Sequence, residues 1–168
     1  MITATPPVRI LLPDGEVAWV RGLAAADTAA VLALRNRLAE RDRHLSFFGL
    51  GVGGLAALAT RLSHGAGVGH TAVGCFVHSR LAGVACYDIL ADSAEAEVAL
   101  VVDGRTEALG VATLLLDQLA VIAEHEGVRA FVGDVRGEDP KMLGVFEALG
   151  VPFRPGSRVT DRVDPAGT

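Results

Sequence analysis

Apolar and polar residues alternate in short runs at the start of this chain, as they do in β-strands. Residues 8–12 (VRILL) and 16–21 (EVAWVR) flank Pro13-Asp14-Gly15, which is a turn sequence. Two strand-like runs joined by such a turn are typical of a β-hairpin. A hairpin is therefore predicted at the N-terminus.

Helical spacing replaces this alternation after Asp27. Apolar residues recur there at intervals that predict a first helix, and they are Val31, Leu32, Leu34 and Leu38. The segment 44–54 (HLSFFGLGVGG) is predicted to break this helix, and a second helix is predicted over 55–62.

The middle of the chain is rich in β-branched and small apolar residues. The runs 70–78 and 80–90 flank His78-Ser79 and predict an antiparallel pair of strands joined by a tight turn. The run 94–102 (AEAEVALVV) is predicted to be a third strand of the same sheet. These strands are expected to form the centre of the fold.

Helices and strands alternate in the last part of the chain. Asp139-Pro140 is predicted to start the final helix. Proline is tolerated there because the N–H that it lacks would have no partner in the first helical turn. Gly150 is predicted to end the helix. The polar residues from Arg154 onward are expected to fray. The elements predicted here are a helix over 111–124, a short buried strand over 130–135, the helix over 139–150 and a strand over 151–153.

The predicted order is therefore ββ-α-α-β-β-β-α-β-α-β. Its middle is antiparallel, and the β-α-β unit near the end is a parallel crossover. This order predicts an α/β (α+β) fold, in which a mixed, mostly antiparallel central sheet is flanked by about four helices. The 168 residues fit one domain, 1–168, with an ordered core over about 8–153 and a polar C-terminal tail.

The composition limits the classes of partner. Apolar residues make up 51% of the chain, and the formal net charge is −5, so nucleic acid and anionic membranes are not expected as partners. An acidic surface favours a cationic partner, such as an amine or a lysine-bearing protein face. The chain starts without a signal-peptide pattern and has no apolar run of membrane-spanning length, so a soluble, cytoplasmic protein is expected.

The two cysteines are predicted to be free and buried. With the turn centred at His78-Ser79, Cys75 would pair near residues 80–82 and Cys86 near Thr71. The two thiols would then lie on the order of 13 Å apart, too far for a disulfide. Free cysteines are typical of a reducing compartment.

Candidate chemistry is concentrated between Ala94 and Leu149. A strand, a loop that presents backbone N–H groups and a helix N-terminus form an anion-binding arrangement. Glu97, a few residues upstream, is a candidate base. This combination predicts a site that holds a phosphate-bearing cofactor and moves a proton; metal-ligand spacings are absent from the sequence.

Three segments resemble the GNAT acetyltransferase family, and within it the bacterial protein lysine acetyltransferases. The first is VRGLAAADTAAVLALRNRLAERDRHLSFFG, in which a helix is followed by Phe47-Phe48-Gly49; the second is AEVALVVDG, similar to the family's central strand. The third begins at Glu107 and continues to Phe153. Together they span roughly residues 8–153, which implies a GNAT fold and acetyl-CoA as cosubstrate, without a metal.

The resemblance also implies a set of cofactor-binding residues. The family's loop pattern Gln/Arg-x-x-Gly-x-Gly/Ala corresponds here to Glu107 through Ala112, so a carboxylate replaces the usual first residue. The strand before the loop would offer backbone groups of Leu100 and Val102 to the pantetheine arm. The implied set is Leu100, Val101, Val102, Glu107, Ala108, Leu109, Gly110, Val111, Ala112, Thr113 and Asp139.

Glu97 is the residue that the resemblance assigns as general base. A lysine amine has a pKa of about 10.4 and must lose a proton before it attacks a thioester. Glu95 shares the face of Glu97 by strand alternation; it either lies near the substrate entrance or is simply solvated, and the second interpretation is preferred. Asp88 is expected to face solvent or brace a loop.

Other residues bear on proton transfer. His44 and His70 are candidate proton carriers, although each is more simply explained as a capping or surface residue. Phe146 stands where some GNAT enzymes place a tyrosine general acid, and Asp139 stands where an asparagine is common. The only tyrosine, Tyr87, is predicted to lie on a strand.

The sequence therefore supports an acetyl-CoA-dependent lysine acetyltransferase that acts on a protein, plausibly an acyl-CoA synthetase. Acetylation of a small amine is a second hypothesis. A third is a non-catalytic acyl-CoA-binding regulatory domain, which the departures at Glu107, Asp139 and Phe146 keep open. Domains of this type are often fused to regulatory domains, and such a fusion partner outside this chain is also considered.

Overall fold

A computed structural model describes residues 6–40, 44–47, 50, 52–65, 68–91, 93–104, 108–133 and 140–156. The strands are β1 (Val8–Leu11), β2 (Val17–Gly22), β3 (His44–Phe47), β4 (His70–Val77), β5 (Arg80–Ile89), β6 (Glu95–Asp103), β7 (Ala130–Gly133) and β8 (Phe153–Pro155). The helices are α1 (Thr28–Glu40), α2 (Val52–Ser63), α3 (Ala108–His125) and α4 (Pro140–Ala148).

The strands form one mixed sheet in the order β1-β2-β4-β5-β6-β7-β8, and β3 pairs with β6. The pairs from β1 to β6 are antiparallel, and the pairs β6-β7 and β7-β8 are parallel. The predicted antiparallel centre and parallel crossover are therefore confirmed. None of the described helices combines the length and the apolar character needed to cross a membrane.

The central hairpin turns where the sequence predicted it to turn. His78 and Ser79 have φ values of 52° and 61°, the left-handed conformation that a two-residue hairpin turn requires. The register shifts between Cys75 and Phe76, which places Cys75 opposite Gly83 rather than within 80–82. Both cysteines are buried and free, as expected.

Two apolar cores lie on opposite faces of the sheet. Alternate residues of β6, including Val98 and Leu100, pack in the core that contains α3 and α4. Val101 instead packs with residues of α1 and α2 on the other face. Glu97 follows the same alternation as Val101, so its side chain lies on the α1/α2 face.

Several element boundaries differ from the sequence prediction. The segment expected only to break a helix contains the strand β3, and α2 begins at Val52 rather than at residue 55. The last strand is Phe153–Pro155 instead of 151–153, so Arg154 belongs to the sheet and not to a frayed tail. It pairs with β7, whose Val132 lies opposite Arg154.

A buried tyrosine connects the end of α3 to the sheet. The Tyr87 hydroxyl donates a hydrogen bond to Glu126 Oε1 at 2.5 Å, and the Thr71 hydroxyl donates to the same oxygen at 2.9 Å. The Tyr87 ring is fully buried and lies 5.8 Å from the Phe131 ring, centroid to centroid. Burial and the Glu126 carboxylate both raise the pKa of Tyr87, so the hydroxyl stays protonated and remains a donor.

We expect Glu126→Ala to lower the free energy of unfolding by about 1–2 kcal/mol, because it leaves the buried Tyr87 hydroxyl without its acceptor. Chemical denaturation measures the effect. Glu124→Ala removes an exposed acid from the end of α3, two residues before Glu126, and is expected to change stability by about 0.5 kcal/mol or less. Equal losses in the two variants would contradict this role of Glu126.

Candidate active site

β6 has one edge covered by a single strand and the other edge shared by two. On the first edge, residues 96–102 pair with residues 83–89 of β5. On the second edge, β7 pairs with Glu95–Glu97 and β3 pairs with residues 100–103. The two neighbours therefore meet β6 on either side of Val98 and Ala99, so the sheet divides at this point.

The direction of the backbone groups of β6 follows from its end contacts. Leu90 N donates to Glu95 O at 2.9 Å on the β5 side, and Arg129 N donates to Ala94 O at 2.7 Å on the β7 side. Because the directions alternate along a strand, the N–H and C=O groups of Leu100 and Val102 face the second edge.

That edge is paired in this structure. Phe47 lies opposite Leu100, and Leu45 lies opposite Val102. The backbone groups that the resemblance implies for a pantetheine arm are therefore the ones that face β3. The sequence reasoning missed this pairing, because the segment around β3 was interpreted only as a helix break.

The helix that follows β6 places small and buried residues at its start. α3 begins at Ala108, so the orphan N–H groups of its first turn lie just after the strand. Val111 and Ala112 are fully buried, whereas Leu109 is 46% exposed. The Thr113 hydroxyl donates to Leu109 O at 2.8 Å. Two of the implied cofactor residues, Glu107 and Asp139, lie outside the described residues.

Glu97 stands in a row of polar residues that crosses the sheet. His70 on β4 lies opposite Asp88 on β5, and Asp88 lies opposite Glu97 on β6. Residues opposite one another on neighbouring strands project to the same face. The row therefore lies on the α1/α2 face, and its last member, Glu97, is partly buried.

Asp88 is held by His70 and Arg61. The His70 Nδ1 and an Arg61 terminal nitrogen each lie 2.9 Å from Asp88 Oδ1. Burial alone would raise the pKa of Asp88, but the hydrogen bond from His70 and the charges of His70 and Arg61 outweigh it, so the pKa is lowered. Asp88 is therefore an anion at neutral pH and connects the strand β4 to the helix α2, rather than bracing a loop.

His70 does not lie at the surface, so its interpretation as a capping or surface residue was wrong. Its side chain is only 2% exposed, and its Nε2 has no hydrogen-bond partner within the described part of the chain. The sequence did not indicate this environment, because the contact between His70 and Asp88 depends on the register of β4 and β5. The other candidate histidine, His44, begins β3.

Glu95 also differs from its prediction as a simply solvated acid. Arg154 binds it in a bidentate manner, with Nε 2.9 Å from Oε1 and a terminal nitrogen 2.5 Å from Oε2. The pair joins β6 to β8, which lie on either side of β7. The carboxylate of Glu95 is therefore committed to a structural contact beside Glu97.

Neither aromatic candidate supplies an acid on this face. Phe146 is buried in α4, with its ring centroid 4.5 Å from that of Phe153 and 6.4 Å from that of Phe131. Tyr87 projects to the α3 face, where Glu126 binds its hydroxyl. A proton donor for a departing thiolate is thus not supplied by either residue.

The neighbouring thiol is not a nucleophile at neutral pH. Burial raises the pKa of Cys86 to about 12, and the charge of Asp88 adds to this effect. Within the described residues, no group of three or more His, Cys, Asp and Glu side chains is arranged to hold a metal ion. A carboxylate such as that of Glu97 is chemically able to accept a proton on this face.

A separate cleft of about 460 Å³ lies beside the C-terminal half of α3, β7 and the connection from α4 to β8. Asp117, Glu124 and Arg129 contribute its charged lining. It borders the α3 helix, whereas Glu97 projects to the opposite face of the sheet. The cleft is therefore not part of the Glu97 site.

No protein-family model matches the sequence, and no curated protein matches it either. Solved structures do match. The GNAT domain of S. lividans PAT is 23% identical with a TM-score of 0.67, and the match covers 86% of each chain. The aminoglycoside N-acetyltransferase AAC(6')-Iy in complex with CoA is 18% identical with a TM-score of 0.60, over 89% of this chain and 95% of that one.

A third match is the cAMP-binding acyltransferase from Mycobacterium smegmatis, which is 18% identical with a TM-score of 0.56. This match covers 88% of the present chain but only 43% of the mycobacterial protein. All three matches are similarities of fold at low sequence identity. The chain therefore has the fold of the GNAT acetyltransferases.

Proposed function

We propose that this protein is an acetyl-CoA-dependent N-acetyltransferase that acetylates a lysine side chain of a protein by direct transfer. The observation that carries the proposal is the position of Glu97 on β6, the strand that leads into the N-terminus of α3. A partly buried carboxylate and an anion-binding helix start thus belong to one β-α unit. The fold shared with GNAT acetyltransferases supports the same function.

The cofactor is proposed to bind along this unit. Backbone N–H groups at the start of α3 would hold the diphosphate, and Gly110 lets the main chain approach it closely. The backbone groups of Leu100 and Val102 would pair with the pantetheine arm. The remaining proposed contacts are Val101, Glu107, Ala108, Leu109, Val111, Ala112, Thr113 and Asp139. One similar structure, AAC(6')-Iy, was solved in complex with CoA.

Glu97 is proposed as the general base. It takes a proton from the lysine ammonium, directly or through a water, so that the neutral amine can attack the thioester carbonyl. A C–N bond forms, the C–S bond breaks, and the sulfur leaves as a thiolate that solvent protonates. The transfer needs no oxidant, reductant or metal.

The acceptor is proposed to be a protein, with acyl-CoA synthetases as the first candidates to test. The net charge of −5 suits a lysine-rich protein face, and the resemblance to bacterial protein lysine acetyltransferases favours the same class. A small amine is the second candidate, because the paired carboxylates of Asp88 and Glu97 also suit a compact cation. A cytoplasmic location, where acetyl-CoA is available, remains a prediction.

Two measurements on the wild-type protein test the proposal. Calorimetry should detect binding of acetyl-CoA, and mass spectrometry should detect acetyl-lysine on purified acyl-CoA synthetases incubated with the protein and acetyl-CoA. Acetylation of small amines but not of proteins would favour the second candidate. Binding without transfer to either class would leave a regulatory acyl-CoA-binding domain, and absence of binding at millimolar ligand would overturn the proposal.

A further inference from the structure

Asp88 and Glu97 are directly opposite each other on neighbouring antiparallel strands. Side chains at opposite positions have Cβ atoms about 5 Å apart, so the two carboxyl groups lie within range of a strong electrostatic interaction. Like charges at such positions repel. The sheet therefore places a second acid beside the proposed base.

The position of Asp88 is fixed from two sides. His70 approaches it along the sheet, and Arg61 approaches it from α2, with both contacts at 2.9 Å to Oδ1. The His70 side chain is almost completely buried, so it cannot turn away into solvent. Asp88 is thus an oriented anion, although its own side chain is 44% exposed.

Other charges also act on this face. Among the described residues, the titratable or charged groups on this face include Asp88 and Cys86 of β5, His70 of β4, Arg61 of α2 and Glu95 of β6, which is paired with Arg154 of β8. The neighbouring residue on β7, Val132, carries no charge. Arg61 is a cation whose charge opposes that of Asp88.

Cys86 reports which of these two charges dominates. It lies two residues from Asp88 on β5, on the same face. After burial, the charge of Asp88 is the largest influence that raises the pKa of Cys86, and it exceeds the opposing influence of Arg61. At the position of Cys86, the negative charge of Asp88 therefore outweighs the positive charge of Arg61.

We propose that Asp88 is a positioning residue that acts through Glu97: its oriented negative charge increases the proton affinity of the Glu97 carboxylate and so makes it a stronger base. The catalytic consequence rests on the proposed function, whereas the interaction between the two acids does not. A nearby like charge disfavours ionisation, and a base whose pKa is closer to the working pH transfers protons more effectively. His70 and Arg61 keep Asp88 ionised, so that Glu97 is the member of the pair that titrates.

The direct test is an NMR titration of the Glu97 carboxyl carbon in the unliganded protein, with Glu97→Gln used for assignment. Asp88→Asn keeps the shape of the side chain and removes its charge. We expect the titration midpoint of Glu97 to fall by about one pH unit in this variant, because ionisation is no longer opposed. Asp117→Asn removes the same charge from an exposed position on α3 and should leave the midpoint unchanged.

Arg61→Gln is a second variant, for which the expected shift of the Glu97 titration midpoint has the opposite direction. It removes the cation and leaves Asp88 in place, so the midpoint of Glu97 should rise. Opposite shifts in the two variants would support the proposal, even if one of them were less stable. An unchanged Glu97 midpoint in both variants would overturn it, as would shifts in the same direction.

The pH dependence of acetyl transfer tests the effect of Asp88 on catalysis. The acid limb of the kcat/KM profile for acetyl transfer should move to lower pH in Asp88→Asn, by the same amount as the NMR midpoint, and the plateau rate should fall. If the NMR midpoint moves while the wild-type protein transfers no acetyl group, the proposed function fails and the interaction between the two acids stands. If transfer occurs and the acid limb does not move, the role of Asp88 in catalysis is refuted.

Discussion

Replacing Glu97 with glutamine is expected to lower kcat for acetyl transfer by about 10²–10⁴-fold, the usual contribution of a positioned base. Glutamine has nearly the same size and can still hydrogen bond, but it cannot take a proton from the lysine ammonium. The rate is measured as release of the CoA thiol at saturating acceptor and acetyl-CoA. Calorimetry on the same variant should find the Kd for acetyl-CoA little changed, because the proposed cofactor contacts are backbone groups elsewhere on β6 and α3.

Glu95→Gln is the matched control for this variant. Glu95 lies two residues away on the same strand and the same face, but Arg154 holds its carboxylate in a bidentate contact. Its kcat should stay close to that of the wild type. Equal losses in both variants would indicate a general effect of charge on this face, and a fully active Glu97→Gln variant would exclude Glu97 as the base.

The pH dependence of the transfer rate is a second test of Glu97 as the base. A base must be unprotonated to act, so the rate of the wild type should rise with pH through the pKa of Glu97 and then level off. In Glu97→Gln this limb should disappear together with the rate. A limb that persists in the variant would assign the titration to another group.

The centre of the fold could be predicted from the sequence because its signals are strong and local. The runs 70–78 and 80–90 are long, apolar and separated by a two-residue turn, and the structure turns at His78 and Ser79. The helix α3 follows a valine-rich strand and precedes β7, so the parallel crossover was also recognisable. The position of Glu97 on β6 follows from the same run of residues.

The strand β3 was not predictable from local signals. It has four residues, it lies next to a glycine-rich segment, and β6, the strand with which it pairs, is distant in the sequence. The identity of such a strand depends on tertiary pairing rather than on intrinsic propensity. The glycines at 53 and 54 also concealed the first turn of α2, because glycine is a poor helix former.

The polar row across the sheet was only partly predictable. The sequence identified Glu97, but it gave no reason to connect Asp88 with His70 or Arg61. That connection depends on the registers of two strand pairs and on the approach of α2. A shift of one residue in the register would move Asp88 to the other face of the sheet.

The pairing of β3 with β6 leads to the second large effect that we expect. The proposed pantetheine contacts and the strand β3 use the same backbone groups, those of Leu100 and Val102. Because each N–H donates to one partner at a time and two chains cannot occupy the same strand edge, β3 must separate from β6 before a cofactor arm can pair there. The measured affinity for acetyl-CoA is then reduced by the fraction of molecules in which this edge is open.

Replacing Leu45 with proline should therefore tighten binding of acetyl-CoA. Leu45 lies opposite Val102, so its N–H faces β6, and proline removes this donor. Each backbone hydrogen bond contributes about 0.5–1.5 kcal/mol, and the loss of one or two of them predicts a Kd about tenfold lower. Calorimetry measures this change, and hydrogen exchange at the amides of β3 should become faster when acetyl-CoA is added to the wild type.

Ser46→Pro is the matched control, since the same substitution is placed one residue further along β3. By strand alternation the Ser46 N–H points away from β6, and an edge strand accepts proline at such a position. The Kd of Ser46→Pro for acetyl-CoA should therefore equal that of the wild type. Leu45→Ala removes the side chain but keeps the N–H, so it separates the effects of the two losses. A Leu45→Pro variant that binds acetyl-CoA no more tightly than Ser46→Pro would contradict the competition, because the cofactor would then not need the edge that β3 covers.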